Sequence, residues 1–60
     1  MKCNEALKIL LDAGWTIHSQ RGSHVKLKHP HFSHIIVFPN HGSKELGKGL
    51  MHKLFKQAGI

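Results

Sequence analysis

Arg21-Gly22-Ser23-His24-Val25-Lys26-Leu27-Lys28 is the stretch whose reading decides the fold. Gly22 opens it with a turn. A short strand follows, with Val25 and Leu27 on one side and His24, Lys26 and Lys28 on the other, because successive strand side chains point to opposite faces. The apolar pair requires a core. The other set presents an imidazole among cations. Imidazole changes charge near neutrality and cations attract phosphate, so the pattern fits proton transfer at a phosphodiester. It fits as well a polar strand face that only keeps a basic domain in solution.

Working outward, Trp15-Thr16-Ile17-His18-Ser19-Gln20 alternates, with Trp15 and Ile17 inward, and predicts a preceding strand. Gln20-Arg21-Gly22-Ser23 supplies the turn, and His24 to His29 form the second strand of an antiparallel hairpin. Pro30 ends that strand, since it has no N–H to donate to a ladder. His31-Phe32-Ser33 reads as a second connection and His34 to Phe38 as a third strand. The run Ile35-Ile36-Val37-Phe38 is apolar throughout; Ile36 and Phe38 are assigned to the core.

Helical spacing flanks this meander. Cys3, Ala6, Leu7, Leu10, Ala13 and Gly14 share one side of a predicted helix over residues 3–13, Ile9 and Leu11 widen its apolar arc, and Asn4, Glu5, Lys8 and Asp12 lie opposite. Gly14 closes the helix in the left-handed conformation glycine tolerates best. After the loop Pro39-Asn40-His41-Gly42-Ser43, Ser43 is expected to cap a short turn through Leu46. A second helix from about Gly49 to Ala58 presents Leu50, Met51, Leu54, Phe55 and Ala58; Met51 and Phe55 at this spacing read as core. The fold class is α+β, ordered α-β-β-β-α: a three-stranded antiparallel sheet with both helices on one face. The face bearing His24, Lys26 and Lys28 stays open. Residues 1–60 read as a single domain without repeat or linker.

Composition narrows the partners. Nine Lys and Arg against three Asp and Glu give a formal charge of +6, which favours a polyanion. A chain this short buries only roughly 60% of its unfolded surface, so any site should be shallow and suited to a polymer. No apolar run approaches a membrane-spanning length, and the first residues do not read as a signal peptide. The single Cys3 excludes an internal disulfide and fits a reducing cytoplasm. It lies on the apolar helix stripe and reads as core, not as a nucleophile. Seven histidines raise the question of metal, with His29, His31 and His34 clustered. Without a cysteine pair at zinc-site spacing, they read as residues of an exposed hairpin tip, and no metal or other cofactor is expected.

Gly22-Ser23-His24 opening the second strand, Pro39-Asn40-His41-Gly42 after the third, Lys44-Glu45-Leu46 beyond it, and the terminal Leu54-Phe55-Lys56-Gln57-Ala58-Gly59-Ile60 together resemble the HicA toxin family. The resemblance covers almost the whole chain with the motifs in order. It implies a fold similar to the double-stranded-RNA-binding domain, and a ribosome-independent mRNA interferase of a type II toxin–antitoxin pair. The family's catalytic histidine matches His24, and the partner would be a HicB-type antitoxin that covers the toxin. The chain departs from the family at the last helix, where Lys48-Gly49-Leu50 replaces a Pro-Gly-Thr-like start and removes a hydroxyl cap.

The residues allow the corresponding chemistry. His24 as base can take the 2′-hydroxyl proton of RNA, so that this oxygen attacks the adjacent phosphorus without a metal. Lys26 on the same strand face neutralises developing phosphate charge, with Lys28 beyond it. Arg21 and the backbone N–H groups around Gly22 and Ser23 hold an adjacent phosphate. The general acid is open: His41 or a water molecule. Two other classes compete, a non-catalytic RNA-binding module of the same fold and a protein whose basic face only docks an acidic partner.

Overall fold

Alternation and turn chemistry build the sheet. A computed structural model describes all 60 residues. Helix α1 spans Cys3–Asp12, strands β1, β2 and β3 span Thr16–Arg21, His24–His29 and Phe32–Pro39, and helix α2 spans Lys48–Gln57. The sheet is antiparallel in the order β1-β2-β3. Arg21 pairs with His24, leaving Gly22-Ser23 as a two-residue turn. Gly22 has φ 59° and Ser23 a negative φ, the pattern of a type II′ hairpin turn, whose twist matches that of the flanking strands.

Val25, Leu27, Ile36 and Phe38 alternate onto one face and are fully buried. They form a single cluster with Cys3, Ala6 and Leu10 of α1, Leu54 and Ala58 at the α2 end, Trp15 and Leu46. Both helices therefore cover the same sheet face, and Cys3 is a buried core thiol. Met51 and Phe55 are half-buried against the cluster, as their spacing predicts. Leu50 is exposed, one helical turn beyond the buried line of Leu54 and Ala58. Ile9 and Leu11 are exposed too: the buried stripe of α1 is Cys3, Ala6 and Leu10, narrower than the sequence arc.

The remaining differences from the sequence reading have local causes. Trp15 is buried but precedes β1, and Ile17 is 49% exposed. Ile17 sits opposite Leu27 on the helix side, yet β1 is an edge strand and nothing covers it. Strand β3 begins at Phe32, two residues before the expected His34, because Pro30-His31 alone makes the turn and Phe32 pairs with His29. Ser43 caps nothing. Glu45 instead bridges to Lys2, and the carbonyls of Lys44 and Gly42 accept the N–H groups of Cys3 and Asn4 at 2.9 Å each. Backbone thus satisfies donors that α1 cannot satisfy itself. Helix α2 starts at Lys48 with Gly47 as a cap that offers no side-chain hydrogen bond, in line with the missing hydroxyl.

Only His31 lies at the exposed hairpin tip. The His29 Nε2–H donates to Ala13 O (3.2 Å), while His29 Nδ1 accepts the His31 N–H (3.0 Å), which fixes the tautomer. His34 Nε2–H donates to Gln57 O (2.7 Å) and Trp15 Nε1–H to Ala58 O (3.3 Å). Each acceptor is a carbonyl at a helix C-terminus, where helical partners run out. The three rings pack around Phe32 with centroids 5.0–5.4 Å from it. The sheet therefore closes the ends of both helices. Gly14, at φ 103°, fits against this cluster; a Cβ there would lie 2.7 Å from His29 Nε2.

Candidate functional site

With the helices on one face, the side chains of the opposite face project from the sheet unopposed. His24 is exposed at the start of β2, beside the type II′ turn. Arg21 is its cross-strand partner on β1, and Pro39 its partner on β3. Partners directly opposite share a face, so Arg21 and His24 point the same way. Lys26 follows two residues along, between Ser19 of β1 and Val37 of β3. A shallow cleft of about 530 Å³ is lined by Ser19, Gln20, Arg21, His24, Lys26 and Val37.

The structure thus brings Arg21, His24 and Lys26 of the expected set into one cleft. Gly22 and Ser23 form the turn at its end. Lys28 lies further along the same face, opposite Thr16 and outside the cleft. Ser19, Gln20 and Val37 were not legible as site residues. Ser19 comes opposite Lys26 only because the β1–β2 register shifts between Ile17 and Ser19. Val37 sits in an apolar run whose facing periodicity does not settle. The polar side chain of Gln20 bonds the Gly22 carbonyl at 3.2 Å and braces the turn.

Charge in the cleft is uncompensated. The three acids of the chain are engaged elsewhere: Glu5 accepts the Lys2 N–H, Asp12 pairs with Lys8, and Glu45 pairs with the N-terminal amine. Arg21, His24 and Lys26 form no ion pair. Nor does any of their side chains hydrogen-bond within the protein, so all their donors face outward. No three of the His, Cys, Asp and Glu side chains converge as a metal site requires.

The motif around Asn40 meets this site from the other side. Asn40 N–H donates to Ser23 O at 2.7 Å, extending the β2–β3 ladder past Pro39. Asn40 Oδ1 accepts the Gly42 N–H at 3.2 Å, and His41 O accepts the Lys44 N–H at 3.3 Å. Gly22-Ser23-His24 and Pro39-Asn40-His41-Gly42, separate in sequence, are therefore neighbours in space.

An exposed imidazole among unpaired cations, on a sheet face that no helix covers, defines a small α+β domain shaped to meet a polyanion. Comparison with known proteins gives that class a family. The family model described as the HicA toxin of bacterial toxin–antitoxin systems matches residues 3–60, and the chain belongs to the HicA toxin family. A probable mRNA interferase HicA of Pseudomonas fluorescens (strain Pf0-1) is 38% identical over 60 residues, covering 100% of this chain and 97% of that protein. A chain of a solved HicA3 and HicB3 toxin–antitoxin complex superposes with a TM-score of 0.84 at 39% identity, covering 100% of this chain and 96% of that one.

Proposed function

We propose that this chain is an mRNA interferase, the toxin of a HicAB pair, which cleaves RNA with His24 as its base and without a metal. The observation that carries the reading is the placement of His24: exposed, free of structural bonds, and set between Arg21 and Lys26 in a cationic cleft. His24 removes the 2′-hydroxyl proton and the freed oxygen attacks the neighbouring phosphorus. Lys26 stabilises the charge that builds on the phosphoryl oxygens, a role strongest where donors are already in place. Arg21 and the turn at Gly22 and Ser23 hold an adjacent phosphate, and Lys28 extends the track along which the backbone lies. The cleft is open, which suits a polymer threaded across it. No helix is long and apolar enough to cross a membrane, and we place the reaction in the cytoplasm, where mRNA is found.

The relative of known structure is part of a complex with HicB3, and a HicB-type antitoxin is the partner we assign here. Covering the open sheet face would exclude RNA from His24 directly. The test of the catalytic reading is His24→Ala. Because the side chain makes no bond within the fold, the variant should keep its circular dichroism spectrum and unfolding midpoint. It should lose cleavage and growth arrest, with a fall in rate of about 10²- to 10⁴-fold from removing the base. Cleavage at the unaltered rate by folded His24→Ala would refute the mechanism. RNA binding without strand scission by the unsubstituted protein would make it a binding module.

A further inference from the structure

We propose that His41 is the general acid of this site, delivering a proton to the 5′-oxygen as it leaves phosphorus. The inference rests on the ribonuclease reading above and assigns the half of the reaction that His24 cannot perform at the same moment.

Placement comes first. Pro39 is paired directly with His24, and the ladder continues through Asn40 N–H to Ser23 O. Strand alternation puts Val37 and Pro39 on the outer face; β3 ends at Pro39, and His41 is the second residue beyond it. Pro39 stands about 5 Å across from His24, and His41 lies two residues, at most about 7 Å, further along. Two imidazoles on such a frame can flank one phosphodiester. His41 is not part of the cleft lining; it follows Asn40, which is bonded beside β2, while Arg21 and Ser19 stand on the β1 side of His24 and Lys26.

The backbone around His41 is held. Asn40 Oδ1 takes the Gly42 N–H, His41 O takes the Lys44 N–H, and Gly42 O takes the Asn4 N–H of α1. The imidazole itself has no hydrogen-bond partner and is exposed. A braced main chain carrying an uncommitted titratable ring is what proton delivery requires.

The other donors are poorer. The three carboxylates are engaged around α1 and its N-terminal approach. Lysine and arginine, as residue types, hold their protons well above neutral pH. His29 and His34 close the helix ends. His31 is at the opposite hairpin and His52 on α2. His18 lies three residues, about 10 Å, along β1 from Arg21.

The step balances. The 2′-hydroxyl proton passes to His24 as the O2′–P bond forms. The P–O5′ bond breaks, its electron pair stays on O5′, and the His41 proton joins that oxygen. The products are a 2′,3′-cyclic phosphate and a 5′-hydroxyl, with His24 protonated and His41 neutral until solvent resets both.

The experiment uses an RNA oligonucleotide cut at one mapped position, and the same oligonucleotide with sulfur in place of that 5′-bridging oxygen. A thiolate leaves without protonation. Folded His41→Ala should cut the oxygen substrate about 10²-fold or more slowly, yet cut the sulfur substrate within a few-fold of the unsubstituted protein. His24→Ala should be slow on both. In the unsubstituted protein, the pH–rate profile should be bell-shaped with oxygen and should lose its alkaline limb with sulfur, a readout that needs no variant. Equal slowing of His41→Ala on both substrates, undiminished cleavage of the oxygen substrate, or an alkaline limb that persists with sulfur would overturn the assignment. Full activity of His24→Ala would instead defeat the reading on which it rests.

Discussion

Replacing Gly14 with alanine tests how the sheet holds the end of α1. Gly14 has φ 103°, and its added Cβ would stand 2.7 Å from His29 Nε2. A side chain in such a backbone conformation costs about 1–3 kcal/mol. Moving the His29 ring aside breaks its 3.2 Å bond to the Ala13 carbonyl, about 1 kcal/mol more. Stiffening the unfolded chain returns roughly 0.5 kcal/mol. The net loss should be about 1.5–3.5 kcal/mol, a large part of the ~3–9 kcal/mol expected for a domain of this length. Urea unfolding followed by Trp15 fluorescence reads it directly; with an m-value near ~1 kcal/mol/M the midpoint should fall by about 2 M. A double-mutant cycle separates the two causes. In a His29→Ala background the clash is gone, so Gly14→Ala should cost only the backbone contribution, and the two substitutions should couple by about 1 kcal/mol. A loss below about 0.5 kcal/mol, or equal losses in both backgrounds, would refute the steric account.

Three further outcomes are expected. Protein stripped with a chelator should retain full ribonuclease activity, since no three metal-ligating side chains converge; activity lost on stripping and restored by zinc would count against metal-free cleavage. A single 2′-deoxy substitution at a mapped cleavage position should stop cleavage there at little cost in affinity, and ordinary RNA should yield a 2′,3′-cyclic phosphate; a 3′-hydroxyl on the upstream product would point to attack by water instead. Lys28→Ala should weaken binding of single-stranded RNA and reduce the slope of log K against log salt by about 0.7, the share of one phosphate contact, and an unchanged slope would remove Lys28 from the phosphate track.

Local pattern carried the centre of the molecule and failed toward its edges. The alternation of His24 to Lys28 placed Val25 and Leu27 inward and the site residues outward because β2 is the middle strand, paired on both sides. Ile17 follows the same rule in register, yet stays half exposed, since burial on an edge strand depends on whether a helix reaches it. The Pro30-His31 turn was hidden by its neighbours: Phe32 and Ser33 read as loop until their pairing showed them to be strand. Near Glu45 the deciding bond is long-range, to Lys2, and no short-range signal contains it. Of the site, His24 and its cations were legible from alternation and charge. Ser19 was not, because its place opposite Lys26 depends on a register shift that composition does not encode, and Val37 was not, because it sits in a run that is apolar throughout. The roles of His29 and His34 were missed because their carbonyl partners lie 16 and 23 residues away.

The side chains of Arg21, His24 and Lys26 carry no structural bond, and this shapes how such a gene decays. If His24 is the base we propose, its substitution should silence the protein without unfolding it, so that the product accumulates at its normal level and is still presented to its neutralising partner. Disruptive substitution at Trp15 or Phe38, both sealed in the core, should instead destabilise the fold and expose the protein to degradation. Survivors of induced expression should therefore fall into two populations on an immunoblot. One retains a full-length band with lesions confined to a few exposed codons of the sheet face; the other has no band, with lesions scattered through the interior. The ratio between them measures how narrow a target the chemistry offers beside the fold that displays it.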